Sequence, residues 1–134
     1  MKSIFIDCSL GISGDMLASA LLDLGVPHSI FADNLLSLKI DKNYKLKFKQ
    51  ADSDGIRGIV CIKNESEFKK LSRSLNDIKN LILDSSLNDY VKKKSIRVFE
   101  ILAEAEAIVH GNKISDVHFH ELGSIDSILD IVNV

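Results

Sequence analysis

The spacing of apolar residues changes along this chain, and the change limits the folds open to it. Apolar residues recur every three or four positions over residues 16–38, 71–82, 91–109 and 125–132. That spacing is typical of amphipathic helices. Over residues 45–62 the spacing differs, because lysines alternate with apolar residues, a turn sequence follows, and a second apolar run comes after it. This pattern predicts a β-hairpin with one solvent-exposed face.

The first apolar run is too short for a helix and is followed by glycines. Residues 4–7 contain two isoleucines and a phenylalanine, which predicts a buried strand. A glycine-containing loop over residues 8–15 leads into the first helix, which Gly25 and Pro27 end. The predicted order is strand, helix, helix, hairpin and three helices. We therefore expect an α/β or α+β fold in which amphipathic helices cover a small sheet.

Length, composition and charge are typical of a single globular domain. The 134 residues, 46% hydrophobic and 27% charged, predict a single domain over residues 1–134. A formal charge of 17 minus 19, or −2, argues against nucleic-acid binding. The chain has no run of about 18 apolar residues, so no membrane span is expected. Cys8 and Cys61 are too few for a disulfide framework, and we expect reduced thiols in a cytoplasmic protein.

The loop before the first predicted helix carries the first candidate site. A helix N-terminus offers backbone N–H groups and a positive dipole end, and glycines allow an anion to approach closely. The residues that would hold a phosphate or a metal-bound phosphate here are Asp7, Gly11, Ser13, Gly14 and Asp15. The alternative is structural, with Ser13 or Asp15 capping the helix and the glycines forming the turn.

A second candidate site is the sequence His-Phe-His-Glu at residues 118–121. Residues two apart in an extended segment share a face, so His118 and His120 are placed to bind one divalent ion while Phe119 enters the core. Glu121 adds an oxygen donor, and this donor set suits nickel, zinc or iron. The alternative is that these histidines are hydrogen-bonded structural residues.

Carboxylates near the last predicted helix form a third group. Asp126 and Asp130 are four residues apart, on the flank of the apolar stripe, and Asp116 precedes the histidines. Two carboxylates at this spacing repel each other unless a cation or a donor lies between them. We predict that Asp126 and Asp130 contribute to the metal site, and the alternative is a solvated flank.

Four blocks of sequence, in order along the whole chain, resemble the LarC nickel-insertion family. They are residues 6–16 (IDCSLGISGDM), 22–27 (LDLGVP), 103–111 (AEAEAIVHG) and 117–132 (VHFHELGSIDSILDIV). The resemblance covers the first part of the family's N-terminal domain, so we expect the domain to be incomplete. The chain has Ser72 and Ser74 near positions where members often carry histidines, and it lacks the family's later histidine-rich stretch.

The resemblance implies a nickel chelatase of the lyase class. Proteins of this kind place nickel into a pyridinium mononucleotide that bears two thiocarboxylates, giving a nickel-pincer cofactor. The family also uses CTP with manganese or magnesium, at a site associated with a C-terminal domain and therefore expected outside this chain. The implied partners are the pyridinium mononucleotide and the C-terminal part, in the same protein or as a separate chain.

Two other functions fit the sequence. One is a non-catalytic interaction fragment of a larger assembly, and the other is a metal-dependent enzyme that handles phosphate. The last predicted helix bears on the first of these, because its apolar residues exceed what one short helix is expected to bury. They are Ile125, Ile128, Leu129, Ile131 and Val132. We therefore expect the domain to self-associate or to bind a partner through this helix.

Overall fold

The computed structural model describes residues 3–40, 44–63 and 72–134. Its helices are α1 (Gly14–Asp23), α2 (His28–Ser37), α3 (Leu75–Leu83), α4 (Asp89–His110) and α5 (Ile125–Val132), with a 3₁₀ turn at Ile114–Asp116. Its strands are β1 (Leu46–Ser53), β2 (Ile56–Lys63), β3 (Arg73–Ser74) and β4 (His118–Phe119). The strands form two antiparallel pairs, β1 with β2 and β3 with β4. The predicted α+β class is confirmed.

The core lies where α3, α4 and α5 meet. Its fully buried large side chains include Ile78 and Ile82 from α3, Phe99 from α4, Phe119 from β4, and Ile128 and Leu129 from α5. The rings of Phe99 and Phe119 pack edge to face, with centroids 6.0 Å apart. Burying side chains of this size supplies most of the driving force for folding.

Helix α4 buries a different stripe from the predicted one at its C-terminal end. Ala103 and Ala107 are buried, whereas Val109, the last apolar residue of the predicted 91–109 stripe, is 77% exposed. The buried positions continue every four residues from Ser95, and alanines on such a ridge let neighbouring elements approach closely. Gly111, with φ of 65°, ends the helix as predicted. In α3, the first residue of the predicted stripe, Leu71, lies outside the described residues.

The predicted hairpin is confirmed. Its turn is formed by Asp54 and Gly55, both with positive φ, and Asp52 accepts a hydrogen bond from the Gly55 N–H at 3.1 Å. The lysines at positions 45, 47 and 49 are exposed, as the alternation predicts. On the other face, the Phe48 ring packs against Phe31 of α2, with centroids 5.7 Å apart. The hairpin is thereby held against the second helix.

The first predicted element is the one that does not form. Residues 4–7 belong to no strand, and Ile4, Phe5 and Ile6 are 63%, 91% and 49% exposed. A strand requires a neighbour for its backbone N–H and C=O groups. Among the described residues both strand pairs lie elsewhere, so this segment has no strand beside it.

The last helix also differs from expectation. Its residues Ile128, Leu129 and Val132 are buried in the chain's own core. The other two apolar residues of the helix, Ile125 and Ile131, are partly buried against the same core. Self-association through this helix remains a prediction. Over the described residues, no helix is both long enough and apolar enough to cross a membrane.

Truncating the central aromatic residue tests this core. We expect Phe99→Ala to lower the free energy of unfolding by about 3–5 kcal/mol, because it leaves a cavity among fully buried side chains. Ile108→Ala, on the same helix but 81% exposed, is the matched control and should change stability by less than about 0.5 kcal/mol. Urea unfolding followed by circular dichroism measures both, and equal losses would contradict the assigned core.

Candidate functional site

The loop before α1 is organised by its own hydrogen bonds. The Gly11 N–H donates to the Cys8 carbonyl at 2.9 Å, and Gly11 has a φ of 86°, which favours glycine. The Asp7 carboxylate accepts from the Ser9 N–H at 2.9 Å. Hydrogen bonds from the backbone and the hydroxyl of Ser9 lower the pKa of Asp7. The loop therefore presents an ionised carboxylate beside an exposed thiol, that of Cys8.

Ser13 and Asp15 cap helix α1. The Ser13 hydroxyl oxygen accepts from the Met16 N–H at 3.4 Å, and the Asp15 carboxylate accepts from the same N–H at 3.0 Å. The Ser13 hydroxyl also donates to Asp15. These hydrogen bonds form the helix cap that the structural interpretation of the loop predicts. Phosphate binding by the loop remains a prediction.

Gly14 brings the glycine loop into contact with the acidic helix. A Cβ atom added at Gly14 would lie 2.4 Å from the Cβ of Asp130 and 2.9 Å from its Cα. Real Cβ atoms do not approach other atoms so closely, so only glycine allows α1 and α5 to cross here. The structure thus places two of the three predicted groups, the loop and the carboxylates, side by side.

Tyr44 is a member of this site that the sequence analysis missed. Its hydroxyl donates a hydrogen bond to the Asp126 carboxylate, and its side chain is buried just before β1. Burial raises the pKa of Tyr44, and the hydrogen bond to Asp126 and the negative charges of Asp126, Asp130 and Cys61 raise it further. The phenol therefore stays protonated and supplies a donor to the carboxylate pair. No spacing pattern in the sequence marks Tyr44.

The histidine segment, residues 118–121, begins in the second strand pair. Strand β4 pairs with β3, with Ser74 opposite His118 and Arg73 opposite Phe119. Phe119 is buried while His118 and His120 are exposed, as the predicted alternation requires. The neighbouring Ser74 and Asp77 form a capping box at the start of α3. A serine followed three residues later by an acidic residue is a recognised sequence signal for this cap, and the sequence analysis overlooked it.

Asp77 is held ionised next to the histidine segment. Hydrogen bonds from the hydroxyl and backbone of Ser74 lower the pKa of Asp77, and the nearby charges of His118 and Arg73 lower it further. A carboxylate beside the exposed imidazole of His118 is thus available, although the sequence analysis did not assign it to the site.

The predicted metal ligands divide between these two places. Asp126 lies against Tyr44 and Asp130 against Gly14, whereas His118, His120 and Glu121 are exposed near β4. A turn separates the two sets, in which the Glu121 carbonyl accepts hydrogen bonds from the Ser124 N–H and the Ser127 hydroxyl. Across residues 3–40, 44–63 and 72–134, no group of three or more His, Cys, Asp or Glu side chains is arranged to hold a metal ion. The metal set remains a prediction.

Comparison with known proteins identifies related sequences. The family described as nickel insertion protein matches residues 4–134. A pyridinium-3,5-bisthiocarboxylic acid mononucleotide nickel insertion protein from Staphylococcus saprophyticus is 42% identical over 131 residues, covering 98% of this chain and 33% of the relative. Proteins of the same name from Clostridium acetobutylicum and Akkermansia muciniphila are 39% and 41% identical, with 98% of this chain and 39% and 34% of the relatives covered.

The chain therefore spans between 33% and 39% of the length of these curated relatives. No solved structure matches it.

The close approach at Gly14 predicts that a larger residue there destabilises the whole fold. We expect Gly14→Ala to lower the free energy of unfolding by about 1–3 kcal/mol, because the added methyl group would force α1 and α5 apart. Gly58→Ala is the matched control, since a Cβ there would meet nothing within 4 Å. Chemical denaturation of both variants checks this, and a Gly14→Ala protein as stable as the control would contradict the contact.

The Tyr44 hydrogen bond predicts a dependence of stability on alkaline pH. Because the folded state raises the pKa of Tyr44, its contribution is complete below the unfolded-state pKa of about 10 and declines as pH rises above that value. Between pH 9 and pH 11 the parent should lose about 1.4 kcal/mol more stability than Tyr44→Phe. Tyr90→Phe, which removes an exposed phenol, is the control. Equal losses in the parent and Tyr44→Phe would contradict the assignment.

Proposed function

This chain belongs to the nickel insertion protein family, and we propose that it takes part in placing nickel into pyridinium-3,5-bisthiocarboxylic acid mononucleotide. The support is the match over residues 4–134, together with relatives about 40% identical to it that are named nickel insertion proteins for this mononucleotide. The observation that carries the proposal in the structure is the contact between Gly14 and Asp130. It supports the proposal because the start of α1 lies against α5, the helix that carries Asp126 and Asp130.

Such a site combines the two functions that the substrates require. Backbone N–H groups at the start of α1 suit the phosphate of a mononucleotide, and we assign this role to Asp7, Gly11, Ser13, Gly14 and Asp15. The carboxylates of Asp126 and Asp130 attract a divalent cation. Because phosphate and carboxylates are all anionic, a divalent cation between them offsets their repulsion.

We assign nickel capture to the exposed histidine segment. His118 of β4 is exposed, as are His120 and Glu121 just after the strand, and imidazole nitrogen is a good ligand for nickel. Nickel is cargo in this scheme, taken up at the histidines and passed toward Asp126 and Asp130. The short turn over residues 121–124 is all that separates the histidine segment from the start of α5 in the sequence.

The complete reaction is assigned to a longer assembly. The relatives carry about twice as much additional polypeptide as the part matched here, and we propose that the CTP site, with its manganese or magnesium, lies there. In this scheme residues 1–134 form an incomplete N-terminal domain of a nickel chelatase of the lyase class. We propose a cytoplasmic location, because no disulfide joins Cys8 and Cys61.

Metal titration tests the proposed nickel capture. We expect Ni²⁺ to bind the chain in calorimetry, and the double variant His118→Ala, His120→Ala to bind at least about tenfold more weakly, because both imidazole ligands are lost. Affinity should also be lower in acid, since only neutral imidazole coordinates a metal ion.

His28→Ala is the matched control for this titration. His28 is also exposed but lies at the start of α2, against the Phe48 ring, and its loss should leave Ni²⁺ affinity unchanged. If the double variant binds Ni²⁺ as tightly as the parent, the histidines are not nickel ligands. Binding lost equally in the control would show that the effect is not specific to the segment.

A further inference from the structure

The segment before the glycine loop, residues 4–6, has the sequence of a β-strand, but among the described residues no strand pairs with it. Ile4, Phe5 and Ile6 are consecutive apolar residues outside any helix or strand, and Phe5 is 91% exposed. Within the described parts of the chain, the backbone of residues 4–6 makes no hydrogen bond. Natural proteins protect such an edge with charges or proline, and residues 4–6 contain neither.

This segment lies over helix α1 without closing on it. A cavity of about 250 Å³ is left between them, lined by Ile4, Phe5 and Ile6 and by Leu17, Leu21 and Leu24 of α1. Two further leucines expose most of their surface, Leu24 at the C-terminal cap of α1 at 71% and Leu10 of the glycine loop at 100%. Exposed apolar residues of this size are typical of an interface.

The kind of partner follows from the pattern of exposure. A strand with apolar residues on both faces is typical of the interior of a sheet that is covered on both sides. Helix α1 covers one face of the segment. The segment therefore requires a neighbouring strand along its edge and a covering layer on the face opposite α1.

We propose that residues 4–6 form a strand that pairs with a strand of the polypeptide that follows the matched third in the longer relatives. That polypeptide is about twice the length of the matched part, enough for both a strand and a covering layer. A second copy of this chain would offer only the same short segment. That segment could pair along one edge, but it would not supply the covering layer. Pairing would also fix Asp7, and with it the glycine loop, at the end of a strand. The inference rests on family membership and not on nickel binding.

Hydrogen exchange tests this pairing. The samples are the chain alone and a chimera in which it replaces the matched third of the Staphylococcus saprophyticus relative. We expect the amides of residues 4–6 to exchange at least about tenfold more slowly in the chimera, because strand pairing protects them. Phe5→Asp should abolish that protection in the chimera. Val109→Asp, at a position that is 77% exposed on α4, should retain it.

Three results would overturn the proposal. The first is fast exchange of residues 4–6 in a chimera that is otherwise folded. The second is a chain that sediments as a dimer with these amides already protected, which would make a second copy the occupant. The third is protection that survives Phe5→Asp. If the chimera does not fold, the aligned segment of the full-length relative is measured instead, where slow exchange supports the pairing and fast exchange overturns it.

Discussion

The burial of one face of α5 is the constraint on which the site depends. Ile128, Leu129 and Val132 lie in the core with α3 and α4, and this sets the rotation of the helix about its axis. Because an α-helix turns about 100° per residue, the carboxylates at 126 and 130 must then point away from the face that is buried in this core. On that other side of the helix they meet Tyr44 and Gly14. Core packing and the placement of the acidic pair are thus a single arrangement.

The contact between α1 and α5 couples the stability of the fold to the chemistry of the site. Gly14 is both the first residue of α1 and the surface against which Asp130 packs. A larger residue there changes the crossing of the two helices. At the site that we propose, a substitution of Gly14 therefore acts through the fold as well as through the loop. Asp126, which accepts a hydrogen bond from buried Tyr44, is coupled to the core in the same way.

The two ends of the described site differ in how well the chain itself supports them. The α5 end is buried and hydrogen-bonded, whereas the segment leading into the glycine loop packs loosely on α1 and exposes its apolar side chains. The match to the first third of longer relatives is consistent with this contrast, since further polypeptide there can complete what one third leaves exposed. Under the proposed function, nickel insertion is carried out by the longer assembly, and we propose that this chain contributes the loop, the carboxylates and the histidines to it.

Features set by residues close together in the sequence could be predicted. The helices and the hairpin followed from apolar spacing, the turn from residues 52–55, and the opposite directions of Phe119 and its flanking histidines from the period of two. The tertiary structure decided the rest: that residues 4–7 lack a strand partner, that α5 is buried, and that Tyr44 meets Asp126 across 82 positions. The physical reason is that local spacing selects the apolar face of an element but not its neighbour. Neighbours are chosen by packing between segments distant in sequence.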